Sequence, residues 1–233
     1  MISERVETFT SGGRPIETEW FETNSGPARK PAVLMLHGVD GLRLAERYRI
    51  GARLTAAAGY HVFFPHYFDR TGENRASLPM VYRNFGVWTE TVRDAVTWLE
   101  RHPGVDPGRI GVMGVSLGAS LALAAAAEDT RIKALVDYFG PVPEGLAARA
   151  KRLPPTLILH GAADPIVPVS HARALEELLK RLGVPHETAV YPGQGHGFHG
   201  AAQADAGRRV GLFLARHLGA SAEPDALARR AGA

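Results

Sequence analysis

Gly114-Val115-Ser116-Leu117-Gly118 is the stretch from which the rest of the chain is read. Ahead of it, Arg109-Ile110-Gly111-Val112-Met113 is a short apolar run of the kind that forms a buried strand. Behind it, Ala119 to Ala127 is almost entirely alanine and leucine, strong helix formers. Strand, sharp turn and helix around Gly-x-Ser-x-Gly is the context of a nucleophile elbow, in which the serine sits at a strained backbone position. Residues two places either side of the serine must be small, because strand and helix crowd together there, and Gly114 and Gly118 meet that need. The bland alternative is a tight turn holding a small buried serine.

Outward from the elbow, apolar runs and helical patterns alternate. Arg5 to Phe9 and Ile16 to Thr23, with Gly12-Gly13 between them, read as an antiparallel hairpin. Ala32-Val33-Leu34-Met35-Leu36 is continuous enough for a strand buried on both faces. A helix is predicted over Leu44 to Ala58, a strand over Tyr60 to Pro65, a polar loop over His66 to Pro79, and a helix over Asn84 to Glu100. Further strands are predicted at Lys133 to Phe139, Thr156 to His160 and His186 to Tyr191, and helices at His171 to Leu182 and Ala201 to Leu218. This alternation implies right-handed crossovers and an α/β fold, a mostly parallel sheet with helices on both faces. No repeat, low-complexity tract or second domain is apparent. Residues 1–218 are expected to form one domain and residues 219–233 a frayed tail.

Composition narrows the chemistry. The chain has 233 residues, 45% hydrophobic and 22% charged, which suits a single sizeable core. A net charge of +3, from 27 Lys and Arg against 24 Asp and Glu, with no basic stripe, does not point to nucleic acid. The absence of cysteine excludes disulfides, thiolate metal sites and a cysteine nucleophile. The ten histidines are dispersed without metal-ligand spacing, so neither a metal nor a cofactor is expected. The N-terminal residues are polar, and the most apolar run, Leu117 to Ala127, is too short to span a membrane. A soluble, cytoplasmic protein is the expectation.

A serine hydroxyl needs a base, and the base needs an orienting carboxylate. In an elbow-bearing sheet these follow in the order serine, acid, histidine, in loops after strands. Asp164 follows the Thr156–His160 strand and precedes Pro165, and His196 follows the last strand within Gly195-His196-Gly197-Phe198. Asp137 is a rival acid near a strand end, and His199 a rival base. His37 and His160, at strand ends, are read as structural. Trp20, Trp88 and Trp98 are read as packing residues, and Arg70, Arg75 and Arg83 as solvated charges rather than an anion clamp.

Four pieces in one order carry a resemblance: Leu36-His37-Gly38, Gly114 to Gly118, Leu159-His160-Gly161 with Asp164-Pro165, and Gly195 to Phe198. Across roughly residues 30 to 218 the chain resembles the dienelactone hydrolase family of α/β-hydrolases. The resemblance implies the α/β-hydrolase fold and catalysis by Ser116, Asp164 and His196. An oxyanion would be held by the backbone N–H groups of Leu117, at the start of the elbow helix, and Val39. Type members carry a cysteine where Ser116 stands, a glutamate near His37, and a carboxylate-holding arginine soon after the histidine, where this chain has His199 and Gly200. These departures point to small esters or lactones rather than to a dienelactone. The alternatives are a thioesterase or peptidase on the same scaffold, or a non-catalytic relative that binds a small ligand. Only Gly140 to Pro155 fills the position of a helical cap, so a shallow, loop-built site is expected.

Overall fold

The computed structural model describes residues 2–23 and 26–219, so the expected tail beyond Gly219 lies outside the described residues. Strands β1 (Ile2–Ser11) and β2 (Arg14–Thr23) form the hairpin, and β2 continues antiparallel onto β4 (His61–Pro65). The other strands are β3 (Lys30–Leu36), β5 (Val105–Val115), β6 (Ile132–Tyr138), β7 (Thr156–Gly161) and β8 (His186–Tyr191). One eight-stranded sheet results, in the order β1-β2-β4-β3-β5-β6-β7-β8, with every pairing from β4 onward parallel.

The helices are α1 (Ala45–Ala57), α2 (Leu78–Arg101), α3 (Leu117–Glu128), the single turn α4 (Leu146–Arg149), α5 (Ser170–Arg181) and α6 (Gly200–Leu218). Alternation along each strand divides the core between the two faces. On β3, Ala32, Leu34 and Leu36 pack with α2, α3 and α5, while Val33 and Met35 pack with α1 and α6. The expectation of a mostly parallel sheet covered on both faces, entered through an antiparallel hairpin, therefore holds.

The structure departs from the sequence reading at α2. This helix begins at Leu78, six residues before the predicted Asn84, and takes in the end of the supposed loop. Pro79 looked like a loop residue, yet it sits in the first turn, where a helix needs no donor from it. The added turns carry Leu78, Val81 and Tyr82 to the rim of the site. Strand β5 likewise starts earlier than Arg109, at Val105, with a register shift against β3 between Val105 and Ile110.

The chain runs from β3 outward to β4, then returns to the other side of β3 as β5. This reversal opens a crevice beyond the carboxyl ends of β3 and β5, the position where open parallel sheets bind ligands.

Candidate active site

Val39 follows β3, Ser116 follows β5, Asp164 follows β7 and His196 follows β8, so parallel pairing delivers all four to one edge of the sheet. At the elbow Ser116 has φ 55° and ψ −117°, a conformation costly for any residue with a side chain. Tight packing maintains it. A Cβ on Gly114 would lie 2.4 Å from the Ala119 backbone, and one on Gly118 would lie 2.4 Å from the Leu36 carbonyl oxygen. The Ser116 N–H donates to the Tyr138 carbonyl at 2.9 Å and its carbonyl accepts the Ala119 N–H at 3.0 Å, so both sides of the turn are anchored.

The structure brings Ser116, His196 and Asp164 into one relay. His196 Nε2 lies 3.0 Å from Ser116 Oγ, and its Nδ1 lies 2.8 Å from Asp164 Oδ2. Asp164 Oδ1 accepts the Ile166 and Val167 N–H groups at 2.8 and 2.9 Å. Burial opposes ionisation of Asp164, but the Val167 N–H, His196 and the Ile166 N–H outweigh it and hold the carboxyl below its ordinary range. An ionised Asp164 accepts a proton-bearing Nδ1, which leaves Nε2 as the lone-pair nitrogen facing the serine. Phe139 covers the imidazole, with ring centroids 4.6 Å apart.

Asp137 is placed differently. Its Oδ1 accepts the Gly140 N–H at 2.7 Å, closing the turn after β6, and burial pushes its pKa up to about 7. Among the described residues it makes no hydrogen bond to a histidine. His199 stands at the start of α6, its N–H donating to Gln194 Oε1, and its ring is not in the relay.

The two backbone N–H groups assigned to the oxyanion have no acceptor among the described residues. Leu117 opens α3, where the first N–H groups are unpaired and carry the positive end of the helix dipole. Val39 lies on a loop fastened from behind. Its carbonyl accepts the Ala76 N–H at 2.8 Å, and Tyr48, reaching back from α1, accepts the Gly38 N–H at 3.0 Å while donating to Asp40 Oδ1 at 2.9 Å. Gly38 lies close to the serine: a Cβ there would be 3.4 Å from that of Ser116. Tyr48 was invisible to sequence reading, since nothing in its helical position signals a contact with a loop eight residues away.

His37 and His160 hold the scaffold. His37 is fully buried, donates from Nδ1 to the Gly38 carbonyl at 2.8 Å and stacks on Tyr67 with centroids 4.0 Å apart; burial pushes its pKa down to about 3. His160 Nε2 donates to the Val167 carbonyl at 2.8 Å, beneath the Asp164 turn. Trp20 and Trp88 are buried in the core. Arg70 serves the hairpin instead of the cleft, reaching the Gly12 carbonyl and Glu90. No group of three or more His, Cys, Asp or Glu among the described residues could hold a metal ion. No helix among them is long and apolar enough to cross a membrane.

The site opens into a cleft of about 1320 Å³, a larger volume than a chain without a cap led us to expect. The early start of α2 adds Leu78, Val81 and Tyr82 to its lining, and the single turn α4, within the Gly140 to Pro155 segment, adds Leu146 and Arg149.

A strained serine between parallel strand and helix, with histidine and aspartate delivered by later strands to the same edge, defines an α/β-hydrolase. The family model for the dienelactone hydrolase family matches residues 20–227, and the chain belongs to that family. It is similar to the thiohydrolase apmlB of Arthrinium phaeospermum, 34% identical over 152 residues that cover 65% of this chain and 48% of the relative. The chain thus spans about half the length of that relative. Its fold is similar to a dienelactone hydrolase from Anabaena variabilis, with TM-score 0.73, 20% identity, and 93% and 99% of the two chains covered. It is also similar to a dienelactone hydrolase-like promiscuous phosphotriesterase from metagenomic libraries, with TM-score 0.79, 19% identity, and 94% and 99% covered.

Proposed function

We propose that the protein is a serine hydrolase that cleaves carboxylic esters or lactones through an acyl-enzyme on Ser116. The observation that carries this reading is the unbroken chain of contacts from Ser116 Oγ through His196 to Asp164, at 3.0 and 2.8 Å. Ser116 Oγ attacks the ester carbonyl as His196 Nε2 takes its proton, and the imidazolium is stabilised by the Asp164 carboxylate. The carbonyl oxygen gains charge and is held by the N–H groups of Leu117 and Val39. His196 returns its proton to the leaving alkoxide, the alcohol departs, and the ester bond to Ser116 remains. Water, deprotonated by the same imidazole, attacks this acyl-enzyme and releases the acid with Ser116 restored. That the Leu117 and Val39 N–H groups lack an acceptor among the described residues supports their assignment to the oxyanion.

A thioesterase reading stands beside this one, because the same steps cleave a thioester with a thiolate as leaving group. The similarity to a protein named as a thiohydrolase favours it over a peptidase. We read residues 1–218 as one catalytic domain, since a single sheet unites its elements. The test is steady-state hydrolysis of p-nitrophenyl acetate and of an acetyl thioester by wild type and by Ser116→Ala. Turnover by wild type with loss of at least about a thousandfold in the variant is expected. Equal turnover by both proteins would remove Ser116 from this role.

A further inference from the structure

Ten large apolar side chains stand exposed among the described residues, and six of them, Val39, Leu44, Ile50, Leu78, Tyr82 and Ile166, line the cleft beside Ser116. Leu78 is 71% exposed and Tyr82 78%, exposures at which apolar side chains contribute little burial to the fold. Scattered single apolar residues on a surface need no explanation, whereas a contiguous set does. Both residues lie on the first turns of α2 and line the same cleft as Ser116.

The opposite wall is pre-formed. The Val142 N–H donates to His171 Nδ1 at 3.1 Å, Ser120 Oγ donates to the Pro141 carbonyl, and Leu146 on α4 is buried beneath. Both walls lead continuously to Ser116 and His196. Acidic and basic side chains in the lining offer no net welcome to an anion: Asp40, Glu128 and Glu144 stand against Arg47 and Arg149. Asp40 is engaged by Tyr48, and Arg149 is engaged by the Glu144 carbonyl at 3.1 Å.

We propose that this cleft is a subsite for an extended apolar arm, and that the preferred substrate is an uncharged ester or thioester bearing such an arm of medium length. This inference rests on the hydrolase reading for its chemistry and goes beyond it in substrate class. A compact lactone or acetate leaves most of a 1320 Å³ cleft unfilled, whereas an extended arm displaces water from both apolar walls.

The test compares p-nitrophenyl acetate with p-nitrophenyl octanoate, and ethyl acetate with octyl acetate. Each methylene fully removed from water is worth about fourfold in binding, so six methylenes, even half-buried, raise kcat/KM by at least about tenfold. The rise is expected in at least one series, and in Leu78→Ser/Tyr82→Ser the long-to-short ratio falls at least about threefold. Because both side chains are largely exposed, this variant keeps its fold, which circular dichroism and its Tm check. Calorimetric binding of ethyl octanoate against ethyl acetate to Ser116→Ala reads the subsite without chemistry.

Flat chain-length profiles in both series overturn the proposal while leaving ester hydrolysis intact. Preferential binding of the octanoate without turnover by wild type upholds the subsite and sinks the hydrolase reading instead. A wild-type dimer that the double variant dissociates, with no change in the long-to-short ratio, assigns the patch to a second copy and overturns the proposal.

Discussion

Replacing Asp164 by asparagine is expected to remove nearly all activity without unfolding the protein, and the reason lies in how the carboxylate is held. Its Oδ1 accepts two backbone N–H groups, from Ile166 and Val167, at 2.8 and 2.9 Å. An asparagine must place its carbonyl oxygen there, because its NH2 group cannot accept. The NH2 is thereby turned toward His196 Nδ1, now 2.8 Å from Oδ2. It can only donate, so Nδ1 becomes the acceptor and the ring proton moves to Nε2, facing Ser116 with no lone pair for the serine proton. Loss of the correct tautomer and of the charge opposite the imidazolium costs a relay of this type about ten-thousandfold in kcat, or about 5 kcal/mol. The retained backbone bonds keep the cost in stability within about 1 kcal/mol. Initial rates on p-nitrophenyl acetate, with Tm as a control, make the measurement. A kcat within tenfold of wild type would refute this reasoning, as would an equal loss in Asp137→Asn.

Asp137→Asn is expected to leave kcat within about threefold while altering stability with pH. A buried carboxyl raised from 3.8 to about 7 stabilises the fold while protonated, and that contribution is lost as pH climbs from about 4 through 7. The shift corresponds to at most about 4 kcal/mol. The variant should match wild type near pH 4 and exceed it in urea midpoint at pH 8, and a constant difference across this range would contradict the assignment. Tyr48→Phe removes the hydroxyl that holds the Gly38 N–H and Asp40. A loss of about tenfold in kcat with KM nearly unchanged is expected if the Val39 loop serves the oxyanion, and a change confined to KM would count against it. Gly118→Ala forces a Cβ to 2.4 Å from the Leu36 carbonyl oxygen. Thermal denaturation should show a loss of at least about 3 kcal/mol or failure to fold; a wild-type Tm would mean that the elbow is looser than described.

Much of this was legible in the chain because it depends on local pattern. Ala32 to Leu36 reads as a strand because both its faces are apolar, and it is buried on both. The glycines at 114 and 118 announce the elbow because no larger residue fits between β5 and α3. What could not be read depends on which parts of the chain meet. Asp137 and Asp164 each follow a run of apolar residues, so pattern alone does not separate them; the resemblance favours Asp164, and the lateral position of β7 beside β8 is what brings it to His196. Pro79 hid the start of α2, since a proline in a first turn and one in a loop look alike along the sequence. With that turn went the apolar wall of Leu78 and Tyr82, and with it the size of the cleft.

The central claim is that Ser116 is the nucleophile of the relay. Intact-mass and peptide-mapping mass spectrometry after incubation with a fluorophosphonate test it most directly. A single adduct on the peptide carrying Ser116, absent in Ser116→Ala and formed far more slowly in His196→Ala, is the result expected. An adduct on another residue, or none on a protein that still turns over ester, would contradict it.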